Sequence, residues 1–246
     1  MKHERPADIE RTSMAIITQE LADLGIELPP DEAPVIKRVI HTSADFDYAK
    51  NLVFTPNAVP LAQEALRRGG QTIITDTNMA KAGVSRVGLE KLWGQVLCFM
   101  ADPDIAQRAK DQGSTRAVAA MQKAAQAYPG AILAVGNAPT ALFEIVRQME
   151  RGLRPALVIG VPVGFVNVVE AKEAVLAACR TYDVPAIVAL GRKGGSNVAA
   201  AICNALVYGA GDLLDPTARG WQYAPKSDKK QGRGPVMGCV PVLSLL

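Results

Sequence analysis

The chain alternates short runs of consecutive apolar residues with longer segments in which apolar residues recur every three or four positions. Short apolar runs are typical of strands buried on both faces, and the longer spacing is typical of amphipathic helices. The apolar runs lie at 71–76, 94–100, 131–135, 156–163 and 185–190. Strands that alternate with helices predict one α/β domain, with a mostly parallel sheet covered by helices on both faces.

Helical spacing begins near the N-terminus and returns after the predicted strands. Two adjacent prolines, Pro29 and Pro30, separate the first helix from the second, because proline lacks a backbone donor and breaks helices. The predicted helices cover 7–24, about 31–42, 55–70, 77–83, 103–111, 114–127, 139–150, 168–181 and 196–208. Beyond them, the apolar run at 235–243 is a candidate terminal strand.

Composition restricts the class of function. Of the 246 residues, 49% are hydrophobic, which is enough for a sizeable core without disulfides, and the four cysteines form no CxxC motif. Because the chain has only two histidines, we expect no metal site. No run of 18 apolar residues occurs, so we expect a cytoplasmic protein that does not enter a membrane.

The net charge of +3 comes from one segment of the chain. Residues 217–235 carry Arg219 and four other basic side chains against Asp228 alone, so the rest of the chain is close to neutral. A body without a basic stripe does not fit a nucleic-acid-binding protein. We interpret the basic segment as solvated and flexible.

Polar residues and glycines follow four of the predicted strands. In a parallel sheet the carboxyl ends of the strands lie at one edge, where ligands bind. We therefore expect a broad cleft with a polar rim, which suits a large ligand better than a small metabolite. Asn137 or Thr140 is a candidate cap for the helix that begins at Pro139. The four segments are TDTNM (75–79), GNAPT (136–140), GVPVGFVN (160–167) and GRKGGSN (191–197).

The segment 191–197 follows a strand and opens a helix, as phosphate-binding loops do. It matches neither GxxxxGK[ST] nor GxGxxG, so a nucleotide-dependent enzyme is the less favoured interpretation. We favour a site for another anion, with Ser196 as helix cap and hydrogen-bond donor. A simple tight turn is the plainer alternative, but it leaves Arg192 and Lys193 without a role.

Apart from His3, the only histidine lies in the stretch VIKRVIHTSADFD at 35–47. Two interpretations of His41 are open. At the end of a helix, an imidazole often interacts with the helix dipole. Alternatively, His41 is a proton donor or acceptor, because histidine titrates near neutral pH without a large pKa shift. Asp45, Asp47 and Asp76 are candidate partners for its ring.

Five long stretches resemble precorrin-8X methylmutases, the precorrin isomerases of cobalamin biosynthesis. The resemblance extends over about residues 9–210, so we expect residues 1–210 to form the isomerase domain and residues 211–246 to form a C-terminal extension. The stretches are RVIHTSADFDYAKNLVF, TDTNMAKAG, VGNAPTALFEI, PALVIGVPVGFVNVVEAKE and GRKGGSNVAAAICNAL.

The resemblance implies a cytoplasmic homodimer that binds precorrin-8X or cobalt-precorrin-8. It implies migration of a methyl group from C-11 to C-12 of the ring, which gives hydrogenobyrinate or cobyrinate as a tightly bound product. The implied reaction needs no cofactor and no metal. His41 is implied to protonate the macrocycle and so assist the methyl shift.

The resemblance also implies residues that contact the substrate. Ser13 and Arg38 match substrate-contacting positions of the family, Arg38 lies one helical turn before His41, and Thr115 with Arg116 is expected at another carboxylate arm of the substrate. The remaining implied contacts are Thr42, Asp76, Met79, Asn137, Thr140, Gly164, Arg192, Gly194 and Ser196. The alternative is a corrinoid-binding or channelling protein without catalysis, but such a protein does not need a proton donor such as His41.

Overall fold

One six-stranded sheet forms the centre of the protein, whose computed structural model describes residues 5–219. The strands are β1 (Leu52–Phe54), β2 (Thr72–Thr75), β3 (Gln95–Leu97), β4 (Ile132–Val135), β5 (Leu157–Gly160) and β6 (Ala186–Ala189). They stand in the order β1-β6-β5-β4-β2-β3. All neighbours pair in parallel except β1, which runs antiparallel to β6 at one edge. The predicted mostly parallel sheet is confirmed.

Helices connect and flank the strands of this sheet. The α-helices of the described region are α1 (Pro6–Asp23), α2 (Ala33–Ser43), α3 (Tyr48–Asn51), α4 (Ala58–Arg67), α5 (Asn78–Gly83), α6 (Arg86–Lys91), α7 (Pro103–Asp111), α8 (Arg116–Ala127), α9 (Pro139–Glu150), α10 (Val168–Thr181) and α11 (Ser196–Ala210). A short 3₁₀ helix, Pro216–Arg219, follows them. No helix of the described region is long and apolar enough to span a membrane.

Two apolar layers cover the sheet, one on each face. Successive residues of a strand point to opposite faces, so Ile132 joins one layer and Leu133 joins the other. Helices α1, α2, α4 and α11 pack on the first face, and α8, α9 and α10 pack on the second. Both layers consist mainly of buried aliphatic side chains. The predicted cover of helices on both faces is confirmed.

The structure departs from the predicted elements at a few short segments. Strand β1 and helices α3 and α6 were not predicted, because three to six residues give too little periodicity to recognise. The predicted strand at 94–100 contracts to Gln95–Leu97. Within the predicted extension, residues 211–219 are described, whereas the candidate strand at 235–243 lies outside the described residues.

The loops that follow β5 and β6 interlock through their backbones. Gly195 N–H donates to the carbonyl of Val161 at 2.9 Å, and Gly164 N–H donates to the carbonyl of Arg192 at 3.2 Å. A Cβ atom at Gly194 would collide with the carbonyl oxygen of Val161. Glycine is therefore required at this position so that the two loops can approach each other.

Candidate active site

Asp76, at the carboxyl end of β2, fixes the loop that follows β4. Its side chain is only 1% exposed. Its oxygens accept hydrogen bonds from the backbone N–H groups of Gly136 at 2.8 Å, Asn137 at 2.8 Å and Ala138 at 2.7 Å. Burial raises the pKa of the Asp76 carboxyl, and the three N–H donors oppose that shift. Asp76 therefore positions the loop after β4, and the contact with substrate that the resemblance implies for it stays a prediction.

Lys172 of α10 fixes the loop after β6 by donating hydrogen bonds to its backbone carbonyls. Its ammonium is fully buried and donates to the carbonyls of Gly191 at 2.8 Å and Lys193 at 2.7 Å. Burial lowers the pKa of Lys172 to about 8. Sequence reasoning missed this residue, although it stands four positions from Val168 and from Leu176 on the buried face of its helix.

Pairs of hydroxyl groups join the N-terminal ends of helices at this edge of the sheet. Thr77 Oγ1 lies 2.8 Å from Ser196 Oγ, and Thr115 Oγ1 lies 3.1 Å from Thr140 Oγ1. The predicted cap role of Ser196 is wrong, since Gly195 precedes α11 and Ser196 is its first residue. Neither Asn137 nor Thr140 caps α9, because the residue before that helix is Ala138 and no side chain caps it.

His41 lies in the last turn of α2, beside α1. Its Nδ1 atom is 2.8 Å from Ser13 Oγ, a direct hydrogen bond that the sequence did not predict. Burial lowers the pKa of His41, and the charge of Arg38 lowers it further. The negative charge of Glu10 opposes both effects. The imidazole is therefore a somewhat stronger acid than free histidine.

Arg38 and Glu10 form an ion pair one turn from His41. Arg38 Nη2 lies 2.6 Å from Glu10 Oε1, and Arg219 Nη1 lies 2.8 Å from Glu10 Oε2. Arg38, which is predicted to contact the substrate, is therefore already paired with Glu10 in this structure. Sequence reasoning missed Glu10, whose position three residues before Ser13 on one helix face was an available signal.

Asp45 and Asp47 are not partners of the imidazole, contrary to the prediction. Both carboxylates bind Lys193 Nζ, at 2.7 Å and 2.6 Å. The loop after β6 is thereby tied to the segment that follows the helix of His41. Because Lys193 is neutralised in this way, the segment 191–197 fits a phosphate-binding loop less well than its sequence suggests.

Most of the remaining predicted residues lie on the surface. Thr42, Met79, Asn137, Thr115, Arg116 and Arg192 are exposed, and Gly164 lies at a positive φ of 149°. The Arg192 guanidinium stacks over the ring of Phe165, with 5.5 Å between its carbon and the ring centroid.

The structure separates the predicted residues into two groups. Ser13, Arg38 and His41 belong to α1 and α2 on one face of the sheet. Arg116 and Thr140 belong to α8 and α9 on the other face, and Thr115 caps the start of α8. A cleft of about 270 Å³ lies beside His41 and is lined by Glu10, Ile9 and Pro216 among others. This volume is at the small end for ligand sites, so a large ligand must extend beyond it.

No group of three or more potential metal-ligating side chains occurs within residues 5–219. The described site consists instead of an accessible imidazole, a hydroxyl partner, a paired arginine and glycine-rich loops at the carboxyl edge of a parallel sheet. These features place a group that can donate or accept a proton at an accessible position of an α/β fold whose sheet edge can hold a ligand.

Comparisons with known proteins identify the family. Residues 8–209 match the family model described as precorrin-8X methylmutase. The chain is 43% identical over 210 residues to the cobalt-precorrin-8 methylmutase of Salmonella typhimurium, covering 83% of this chain and 96% of the relative. It is 39% identical over 203 residues to the cobalt-precorrin-8 methylmutase of Priestia megaterium, covering 82% and 87%.

A solved structure agrees with these sequence matches. The crystal structure of precorrin-8X methylmutase from Thermus thermophilus superposes with a TM-score of 0.74 at 39% identity, covering 83% of this chain and 98% of that one. The chain belongs to the precorrin-8X methylmutase family. Its members are isomerases that move a methyl group in corrin biosynthesis.

We expect Asp76→Asn to lower the free energy of unfolding by about 1–3 kcal/mol, because an amide NH₂ then faces a backbone N–H donor in a buried site. Urea denaturation followed by circular dichroism measures the change. Asp111→Asn is the matched control, since its exposed carboxylate accepts only from Gln107. Equal stability of the two variants would show that the Asp76 contacts contribute nothing specific.

Proposed function

We propose that the protein converts precorrin-8X, or its cobalt-containing counterpart, into hydrogenobyrinate or cobyrinate by moving a methyl group from C-11 to C-12. We assign proton donation to His41, and we place the enzyme in the cytoplasm. The observation that carries the proposal is the position of an accessible imidazole, bonded to Ser13 and adjacent to a paired arginine, in a chain of this family.

Proton transfer explains why this imidazole is useful. Adding a proton to the conjugated ring withdraws electron density and lowers the barrier to migration of the methyl group. An acid whose pKa lies below that of free histidine gives up its proton more readily, yet it recovers the proton after the shift. The migration itself breaks one carbon–carbon bond and forms another within the same molecule, so the proton is returned.

Ser13 suits both charge states of His41. When the ring is charged, Nδ1–H donates to the Ser13 hydroxyl oxygen, and the neutral ring that remains after Nε2 gives up its proton keeps the same Nδ1–H donor. The hydrogen bond therefore survives proton transfer through the other nitrogen, Nε2. We assign Nε2 as the atom that delivers the proton.

Carboxylate arms of the tetrapyrrole provide the binding contacts. We propose that Arg38 exchanges Glu10 for one of these arms and that Arg192 binds another at the rim of the sheet edge. Guanidinium groups are well matched to carboxylates because they donate two parallel hydrogen bonds. Thr42, Met79, Asn137, Gly164, Gly194 and Ser196 are proposed to line the same rim, with the glycines allowing close approach of the flat ring.

We propose that the enzyme acts as a homodimer. The Thr115–Arg116 segment and His41 lie on opposite faces of the sheet, and the cleft at His41 is smaller than a tetrapyrrole needs. A second copy supplies additional surface around the ligand, and its Thr115–Arg116 segment is a suitable source of contacts. Retention of a proton donor argues against the alternative, a corrinoid-binding or channelling protein without catalysis.

We expect His41→Ala to abolish turnover and largely to retain product binding, because the variant lacks the proton source but keeps the arginine and loop contacts. Visible absorption during incubation with precorrin-8X and, separately, with cobalt-precorrin-8 measures conversion, since the methyl shift changes ring conjugation. The wild-type protein shows which substrate is used. Near-normal conversion by the variant would exclude His41 as the donor, and bound but unconverted pigment with the wild type would favour the binding-only alternative.

The pH dependence of kcat/KM reports on the protonation of His41 in the free enzyme. We expect kcat/KM to fall as pH rises, because the active form carries the proton, and we expect the midpoint below 6.5 since burial lowers the pKa of His41. His3→Ala is the control and should retain the midpoint. A midpoint above 6.5 would contradict the assignment of the active form to a His41 with a lowered pKa.

We expect Arg38→Ala to weaken binding of substrate and product by about 1.5–3 kcal/mol, the scale of a hydrogen bond to a charged group. Absorbance titration with the product measures the affinity without turnover. Arg68→Ala is the control. Arg68 follows the last residue of α4, and its exposed side chain forms an ion pair with Glu64 of that helix. Unchanged affinity of the Arg38 variant would mean that this guanidinium does not bind the substrate.

A further inference from the structure

The carboxylate of Glu10 bridges two arginines. Arg38 binds one oxygen at 2.6 Å, and Arg219 Nη1 lies 2.9 Å and 2.8 Å from the two oxygens. The exposed fractions of the three side chains are 13% for Arg38, 19% for Glu10 and 8% for Arg219. Leaving such a poorly solvated carboxylate without a cation costs free energy. One arginine can therefore leave Glu10 at low cost only while the other remains paired with it.

The two arginines differ in how firmly they are held. Arg219 also donates to the backbone carbonyls of Leu213 at 2.8 Å and Leu214 at 3.0 Å, and its guanidinium carbon lies 3.8 Å from the centroid of the Tyr208 ring. The guanidinium carbon of Arg38 lies 5.3 Å from the centroid of the same ring. Arg219 is thus anchored by backbone, ring and carboxylate, whereas Arg38 is held by the carboxylate and a longer ring contact.

Arg219 comes from a part of the chain that the family comparison does not include. The family model matches residues up to 209, and Arg219 lies ten positions further along. The 3₁₀ helix that carries it packs against α1 and contributes Pro216 to the cleft beside His41. The segment after the family domain therefore places a fixed positive charge on a carboxylate of the active site.

We propose that Arg219 is a positioning residue that keeps Glu10 neutralised while Arg38 turns to a carboxylate of the substrate. This inference rests on the proposed role of Arg38 in substrate binding. Without Arg219, release of Arg38 leaves a partly buried Glu10 anion beside an incoming substrate carboxylate, and the two negative charges repel each other. With Arg219, the exchange of partners by Arg38 leaves no carboxylate unpaired.

A comparison of a single and a double variant tests this role with the full-length protein and precorrin-8X, or cobalt-precorrin-8 if that is the substrate converted. We expect Arg219→Gln to raise KM about tenfold with little change in kcat, the scale of one charge-assisted interaction. Glu10→Gln combined with Arg219→Gln should bring KM back to within about threefold of the wild-type value, because the stranded anion is then absent. Arg219→Lys retains the charge and should recover part of the loss.

Arg11→Gln is the matched control. Arg11 binds Asp215 at 3.0 Å, so it also joins α1 to the C-terminal segment, but within the described residues its guanidinium forms no ion pair or hydrogen bond with Glu10. This variant should retain the wild-type KM. Thermal unfolding of every variant separates binding from folding, because a merely structural role of Arg219 lowers stability in the single and double variants alike without recovery of KM.

The outcomes separate this inference from the proposed function. An unchanged KM for Arg219→Gln, or a double variant no better than the single one, overturns the role of Arg219 if Arg38→Ala does raise KM. If Arg38→Ala leaves KM unchanged, the proposed role of Arg38 fails and the inference fails with it. A raised KM that the double variant reverses supports both.

Discussion

The site depends first on the hydrogen bonds by which the buried carboxylate of Asp76 fixes the loop after β4. Asp76 binds three consecutive backbone N–H groups after β4, and Lys172 binds two backbone carbonyls after β6. The buried anion thus binds backbone N–H groups and the buried cation binds backbone carbonyls, and each fixes one loop. Neither is left unpaired, which is the condition under which buried charges are tolerated. Loops that would otherwise be variable are held at fixed positions on the sheet edge.

Helix α2, which carries His41, is connected to this frame by further ion pairs. Lys193, in the loop that Lys172 holds, binds Asp45 and Asp47 just after α2. Those pairs are partly exposed, so each contributes little stability by itself. Their effect is geometric, because they fix the end of the helix on which His41 lies relative to the sheet edge. Precise placement of a proton donor matters more for catalysis than the energy of any single contact.

The sequence allowed the fold to be predicted because buried parallel strands appear as continuous apolar runs, as at 131–135 and 156–163. It allowed the segments of the site edge to be predicted because parallel strands end on the same side. The partner of His41 was not predictable from spacing, since Ser13 lies 28 positions away on another helix. Asp45 and Asp47 were chosen for their proximity along the chain, but the fold directs them to Lys193. The family, with its implied chemistry, came from long motifs and not from periodicity.

Under the proposed roles of Arg38 and His41, the charges around His41 couple substrate binding to proton donation. In the free protein, Arg38 and Arg219 outweigh Glu10, and burial together with Arg38 lowers the pKa of the imidazole. The same excess of positive charge attracts a ligand that carries many carboxylates. A carboxylate arm that pairs with Arg38 adds negative charge one helical turn from His41, and nearby negative charge raises the pKa of an imidazole. Under the proposed role of Arg38, the substrate therefore increases the protonation of His41, the group that must donate to it. When the carboxylate arm leaves Arg38 after the shift, the pKa of His41 falls back to that of the free protein.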